Sequence, residues 1–472
     1  MRSDITRKAF FKGLALSSLL GMSHRSLEQT QTFDPKVFQE LNPLAKEAIR
    51  GPDSENCLVI NVLDFGAKGD GIMDDTDSIQ RAIRSNAMIF FPAGTYLLSK
   101  TIQLHALRNI HIWAIGAVLI NSTLSTHLIQ LEGCSLVTIT GGTFTRKSPL
   151  TASWPTDRHC MFLLNCRDVV IQEISIEASP GMGICILHSD NVRILNNTIR
   201  NTTRDGVYSH YSVNIIYQGN YLENIADDAL SMHDYGFNST KHQLLEAGYP
   251  QAGNSIIANN RIRNCMRGIA AIGLQTLVVT NNMIDHTVTC GIDVYNTAEE
   301  FEGPDAKAQD IMISNNLVSF ACSSSLTILG KVHGNGNQGG AAKAAITIGS
   351  FSADYQYNPR NKRITNVSVT GNMVNYSAAD AYFFNNIDGL VFSNNSARNC
   401  NTSPMPPYTG YIVECWSCTD VCGFNNTVID SNSPLNALAG YRIKDVTGSI
   451  GGWLGLKYVI HPESKSNPKI LY

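Results

Sequence analysis

The chain has 472 residues, a net charge of −3 and charged residues at 16%. That balance excludes an extended nucleic-acid surface and gives no overall positive field for a polyanion. No apolar run reaches the roughly 18 residues that a membrane span needs.

At the N-terminus, Arg7, Lys8 and Lys12 precede the apolar run Gly13–Met22. A charged stretch followed by a short apolar one predicts an export segment over residues 1–25. Thr6-Arg7-Lys8-Ala9-Phe10-Phe11-Lys12 resembles a twin-arginine export signal, with Lys8 where the second arginine is expected. The expected location is periplasmic or extracellular. Residues 26–56 are polar and read as a linker or first cap.

An exported chain with twelve cysteines allows disulfides. Cys185 and Cys290 lie in strand-like runs and read as small buried apolar residues. Cys415, Cys418 and Cys422 cluster, but no fourth ligand has suitable spacing, so no metal site is predicted.

From Asn61 to Ile83 the chain runs through Asp64-Phe65-Gly66-Ala67-Lys68-Gly69-Asp70-Gly71 and Asp74-Asp75-Thr76-Asp77. Phe91-Pro92-Ala93-Gly94-Thr95-Tyr96 follows. Together these resemble the opening of pectate-lyase-superfamily proteins, shared with polygalacturonases and some phage tailspikes. The resemblance implies a parallel β-helix and a connection with polysaccharides. Physically the stretch predicts a strand, a Gly-rich turn and a short helix with Asp75 or Thr76 as N-cap. Such a helix can cover the open end of a coil and shield its strand edge. Asp70, Asp74 and Asp75 are therefore expected to be structural.

Downstream, short Val/Ile-rich runs end repeatedly in turn pairs. The second turn residues are 116, 142, 173, 197, 220, 260, 282, 316, 372, 395 and 426. The base period is near 23, with some intervals as long as 40 and 56. A recurring period without helical spacing is a solenoid signature. The expected fold is all-β, a right-handed single-stranded parallel β-helix over 57–445 with about eleven coils. Residues 446–472 read as a C-terminal tail or cap. A β-sandwich is the alternative, but its turns would not recur at one period.

Placing the coils in register aligns Met182-Gly183-Ile184, Asp205-Gly206-Val207, Asp228-Ala229-Leu230, Arg267-Gly268-Ile269 and Cys290-Gly291-Ile292. Strand side chains alternate faces. One outward column is then Cys185, Tyr208, Ser231, Ala270 and Asp293, and a second is Leu187, His210, His233, Ile272 and Tyr295. Asp205 and Asp228 become neighbours at the head of the strand, with Asp227 beside them. Tyr208, His210, His233 and Arg267 surround them. Segments 234–253 and 297–309 read as loops walling a groove across this patch. The four tryptophans are expected to lie outside it.

Thr203-Arg204-Asp205-Gly206 and Ala226-Asp227-Asp228 resemble the two aspartate settings of the polygalacturonase family. The resemblance implies an inverting glycoside hydrolase, with Asp227 as general acid and Asp205 and Asp228 activating water. The family's Gly-His-Gly position falls at Met266-Arg267-Gly268. Its Arg-Ile-Lys segment, which holds a uronate carboxylate, falls at Asp293-Val294-Tyr295. A neutral or differently charged polysaccharide or oligosaccharide is therefore expected rather than polygalacturonan. Tyr208, His210, His233, Arg267, Asp293 and Tyr295 are the expected substrate-binding residues. No cofactor is required by hydrolysis. A uronate lyase or epimerase is the second reading, and only there does calcium enter. A non-catalytic glycan-binding protein on the same scaffold is the third.

Overall fold

Alternate Val, Ile and Leu fix the inward side of every strand. Val137, Val169, Val192 and Ile215 stack in one column, and Ile139, Ile171, Ile194 and Tyr217 in the next. All eight are fully buried. In-register stacking gives each inward side chain a neighbour of similar shape about 4.8 Å above and below.

The computed structural model describes residues 58–148, 150, 158–236, 250–296, 307–323, 325–333, 344–349, 363–402, 411–429, 439–451, 458–460, 462 and 464–471. The predicted export segment and the linker to residue 56 lie outside them. Val59–Tyr472 forms one compact unit. Among the described residues, its strands run parallel in a fifteen-stranded sheet and a twenty-four-stranded sheet. A separate antiparallel hairpin pairs Leu326–Ile328 with Lys331–His333. The larger sheet is two faces joined where Tyr221–His233 and Arg261–Ile272 run through the corner between them. Each coil thus contributes to three faces, and the chain is a parallel β-helix.

The fifteen-stranded face exceeds the eleven turn-marked coils by four strands. Leu58–Asn61 and Ala87–Phe90 precede the first turn pair, and Gly448–Gly451 and Lys469–Leu471 follow the last. Within the segment read as a C-terminal tail or cap, these strands pair as further rungs. Their coils lack the Asn-Asn turn, so the turn pattern alone does not reveal them.

Thr76–Ala82 is the only α-helix among the described residues, with Ile79 and Ala82 buried beneath it. It protects a strand edge directly. Gln80 accepts from the Gln103 backbone N–H and donates to the Gln103 carbonyl, taking the place of a missing rung. Asp75 is the N-cap residue but makes no capping bond. Its carboxylate instead accepts from the backbone of Lys68 at 2.6 Å and Gly69 at 3.0 Å. Asp74 accepts from the backbone and hydroxyl of Thr76, and Asp70 from the backbones of Ile72 and Met73. All three carboxylates are engaged in holding this turn.

At the corner after the first face stands a continuous asparagine ladder: Asn197, Asn220, Asn260, Asn282, Asn316, Asn372, Asn395 and Asn426. From Asn197 to Asn395, each side-chain amide donates to the side-chain carbonyl oxygen of the next at 2.9–3.0 Å. Each also donates to a backbone carbonyl, as Asn260 does to Tyr217. The whole column is buried. Eight of the eleven turn residues read from the sequence are these eight. Removing one leaves buried donors and acceptors unmatched on both sides. Asn260→Ala should lower unfolding free energy by about 2–4 kcal/mol, measured by chemical denaturation. A loss no greater than that of a surface Asn→Ala control would show that the ladder carries no net stability.

Candidate active site

The register of the third face runs Ile184, Val207, Leu230, Ile269 and Ile292 on the inward side. The outward columns are therefore Cys185–Tyr208–Ser231–Ala270–Asp293 and Leu187–His210–His233–Ile272–Tyr295. The glycines ahead of the inward residues are not turn glycines. A Cβ on Gly206 would lie 2.5 Å from the Ala229 carbonyl oxygen, and one on Gly268 2.3 Å from that of Gly291. Close rung contact, and not positive φ, is what Gly supplies beside Asp205 and Arg267.

Asp205 and Asp228 stand on adjacent rungs, and the Gly206 backbone donates to the Asp228 carbonyl at 3.0 Å. Between Ile225 and Asp228 the strand register shifts by a bulge. Such a bulge re-aims side chains, and Asp227 sits in it. Asp205 and Asp228 are buried, whereas Asp227 is partly exposed. The Ser231 hydroxyl donates to Asp205 at 2.5 Å. Arg267 lies between two carboxylates, with Nε 3.6 Å from Asp228 and 3.5 Å from Asp293.

Burial dominates the ionisation of this cluster. It pushes Asp205 up to about 7, with the neighbouring Asp227 adding to the rise. Burial likewise raises Asp227, against the attraction of Arg267 and Arg204. Asp228 is held well above the ordinary carboxylate range by burial, against Arg267 and with the repulsion of Asp227, Asp205 and Asp293. Carboxylates packed this way do not all ionise together near neutrality: a proton stays with the cluster, while Arg204 and Arg267 favour charge on its other members.

A cluster of rings forms the other half of the patch. His233 Nδ1 is 2.9 Å from the Tyr235 hydroxyl, and its Nε2 is 3.9 Å from Asp228. His210 stacks on Tyr211 at 3.9 Å and meets Tyr235 edge-on at 4.5 Å. Tyr208 meets His233 edge-on at 5.0 Å. Burial raises the Tyr208 phenol well above its ordinary value, so it stays protonated. Tyr295 is partly exposed, with Arg267 lying 6.0 Å from its ring. The structure thus brings all nine expected site residues into one region of one face.

Sequence reasoning missed four contributors. Arg204 shares its rung position with Asp227, since Thr202 pairs with Ile225 and Val207 with Leu230. Arg204 is therefore a second cation of the patch beside Arg267, and the 23-residue offset from 204 to 227 was the signal. Tyr235 lies two residues past His233, beyond the end of the aligned strand, and its hydroxyl is 2.9 Å from His233 Nδ1. Asp234 and Asn296 close the two insertions. The Asp234 carboxylate accepts from Gly236 at 2.8 Å and Ala252 at 2.7 Å, and the Asn296 side chain from Ala308 at 2.7 Å. Both insertions leave from the strand ends where the loops were expected. Residues 237–249 and 297–306 of those loops lie outside the described residues.

The rhamnogalacturonase A/epimerase, pectate lyase-like family matches residues 59–293. The chain belongs to the pectate lyase-like parallel β-helix superfamily. The exopolygalacturonase of family 28 from Yersinia enterocolitica shares the fold with a TM-score of 0.57 at 14% identity, covering 87% of this chain and 79% of that one. A GH87 alpha-1,3-glucanase from Streptomyces thermodiastaticus gives 0.53 at 16%, covering 87% and 67%. The surface adhesin PfbA of Streptococcus pneumoniae gives 0.55 at 15%, covering 80% and 93%. Among curated proteins, a glucan 1,3-beta-glucosidase of Cochliobolus carbonum is 22% identical over 274 residues, 46% of this chain. The chain spans 33% of that relative's length. No helix among the described residues is long and apolar enough to cross a membrane.

The raised Asp205 has a defined consequence for stability. Its folded pKa of about 7 lies above the ordinary 3.8, so the fold favours the protonated form. That contribution is complete below 3.8 and is lost as pH rises towards about 7. Asp205→Asn should flatten the fall of stability over this window, by at most about 1.4 kcal/mol per pH unit. Denaturation midpoints measured across the window test this, and an unchanged slope would show that Asp205 ionises normally.

Proposed function

We propose that this protein is a carbohydrate-active enzyme, an inverting glycoside hydrolase acting on a neutral 1,3-linked glucan. The observation that carries the reading is the stack of Asp205, Asp227 and Asp228 on adjacent rungs, with Asp205 and Asp228 buried and all three pKa values raised. Asp227 is the most open of the three and is poised to protonate the leaving-group oxygen. Asp205, held by Ser231, and Asp228, held by Arg267, form the pair whose ionised member takes a proton from water on the opposite side of the sugar. Tyr208, His210, His233 and Tyr295 supply hydroxyl partners and ring surfaces for the sugar.

The choice of a neutral glucan rests on charge. The position that would grip a uronate carboxylate carries Asp293 and Tyr295. Arg267 is already shared between Asp228 and Asp293. The names of the glucan 1,3-beta-glucosidase and the alpha-1,3-glucanase share the 1,3 position, in opposite anomeric forms. A uronate lyase or epimerase is the second reading, favoured by Arg204 as a further cation beside Asp205 and Asp227.

The test is incubation with a β-1,3-glucan, an α-1,3-glucan and polygalacturonan. New reducing ends from one of the two glucans, with inverted anomeric configuration by proton NMR, are expected. An unsaturated product absorbing in the ultraviolet would replace the hydrolase with the lyase. Asp227→Asn should cut kcat by about 10²–10⁴ and leave the thermal midpoint unchanged or higher. Retained turnover would remove Asp227 from the acid role.

A further inference from the structure

The two outward columns of the active site do not end at Asp293 and Tyr295. The first continues through Thr347, Phe383, Glu414 and Arg442. The second continues through Gly349, Asn385, Trp416 and Lys444. The sequence reading left every tryptophan outside the patch, yet Trp416 stands in the same column as His210 and His233. It lies five rungs from His233, about 24 Å along the axis at one rung spacing each.

The residues around Trp416 form a built surface rather than a lone exposed ring. Trp416 packs on the fully buried Phe383 with ring centroids 5.9 Å apart. Arg442 lies 5.1 Å from the Trp416 ring and 5.2 Å from that of Tyr411. Its Nη1 is 3.7 Å from Glu414, which is fully buried. Trp416, Tyr411, Arg442 and Lys444 all remain partly exposed. Between this surface and the carboxylates, Gly349 places no side chain on the outward face, Thr347 places a small one, and Phe383 and Asn385 lie low and almost wholly buried.

We propose that Trp416, with Arg442 and Lys444, is a distal subsite for the glycan chain whose cleavage site is the aspartate patch. Apolar sugar faces pack on exposed indole, and guanidinium and ammonium groups donate to sugar hydroxyls. A chain lying along the third face contacts both places at once, so binding at Trp416 raises the effective concentration of chain at the carboxylates. A disaccharide is too short to span the distance. The enzyme then favours long chains over short ones. This deepens the glucanase reading and rests on it for the location of the cleavage site.

The test separates the two. The variant Asp227→Asn and the double variant Asp227→Asn with Trp416→Ala are run through native gels containing laminarin, carboxymethyl α-1,3-glucan or polygalacturonan. The expected result is retardation of the first in a glucan gel, weakened on the order of tenfold in apparent affinity in the double variant. Partial recovery with Trp416→Phe is expected, because a flat ring is restored. Equal migration of the two variants in all three gels would overturn the proposal. Thermal unfolding of the Trp416 variants checks that the coil is intact. The activity assay reads the other claim. If the parent cleaves neither glucan, the glucanase reading falls, while the gels still decide the subsite.

Discussion

In-register stacking of parallel rungs is the constraint on which the rest of this structure depends. Every inward residue meets its equivalent one coil away, and every outward residue does the same. The buried asparagine ladder makes that register costly to lose. A slip by one residue would strand each Asn amide and turn each strand's apolar side outward at the same time. Long insertions are tolerated because they leave at coil corners, where pairing is already complete. Asp234 and Asn296 show how the stems are closed, each accepting a backbone N–H from the far side of its loop.

The same stacking creates the chemistry of the site. Two aspartates at equivalent positions of adjacent coils must lie about one rung apart. Burial under the surrounding rings then makes shared ionisation unfavourable, and protons are retained. The bulge at Asp227 breaks the equivalence, leaving one carboxylate more open than its neighbours. Arg204 and Arg267 offset part of the charge without neutralising all of it. The cost of burying this cluster falls on the fold, and the asparagine ladder and apolar columns are what keep the rungs in place against it. The ligand surface proposed at Trp416 follows from the same geometry, since a column that starts among the histidines continues along the face.

Much of this was legible in the sequence. The Asn-Asn and Gly-Asn pairs identified eight ladder positions because the ladder requires an amide at one fixed point per coil. The aligned triplets placed Asp205, Asp228, Arg267 and Asp293 because strand alternation converts spacing into facing. Coils without the turn pair, at both ends, escaped notice for the same reason. Arg204 was within reach of the spacing argument, and so was Tyr235, which stands two residues past His233 and would have been found by carrying the alternation beyond the strand end.

The sequence by itself determined the repeat, the register of the central coils and the identity of the clustered carboxylates. These depend on short-range alternation and a constant period. The tertiary structure alone decided which charges are paired, which are buried and which are open. Those properties arise from neighbours in adjacent coils at intervals that insertions make irregular, as with Trp416, whose coil is separated from that of His233 by several loops. Solvent exclusion is likewise a property of the assembled face, and it sets the proton affinity of Asp205 where residue type alone would leave it ordinary.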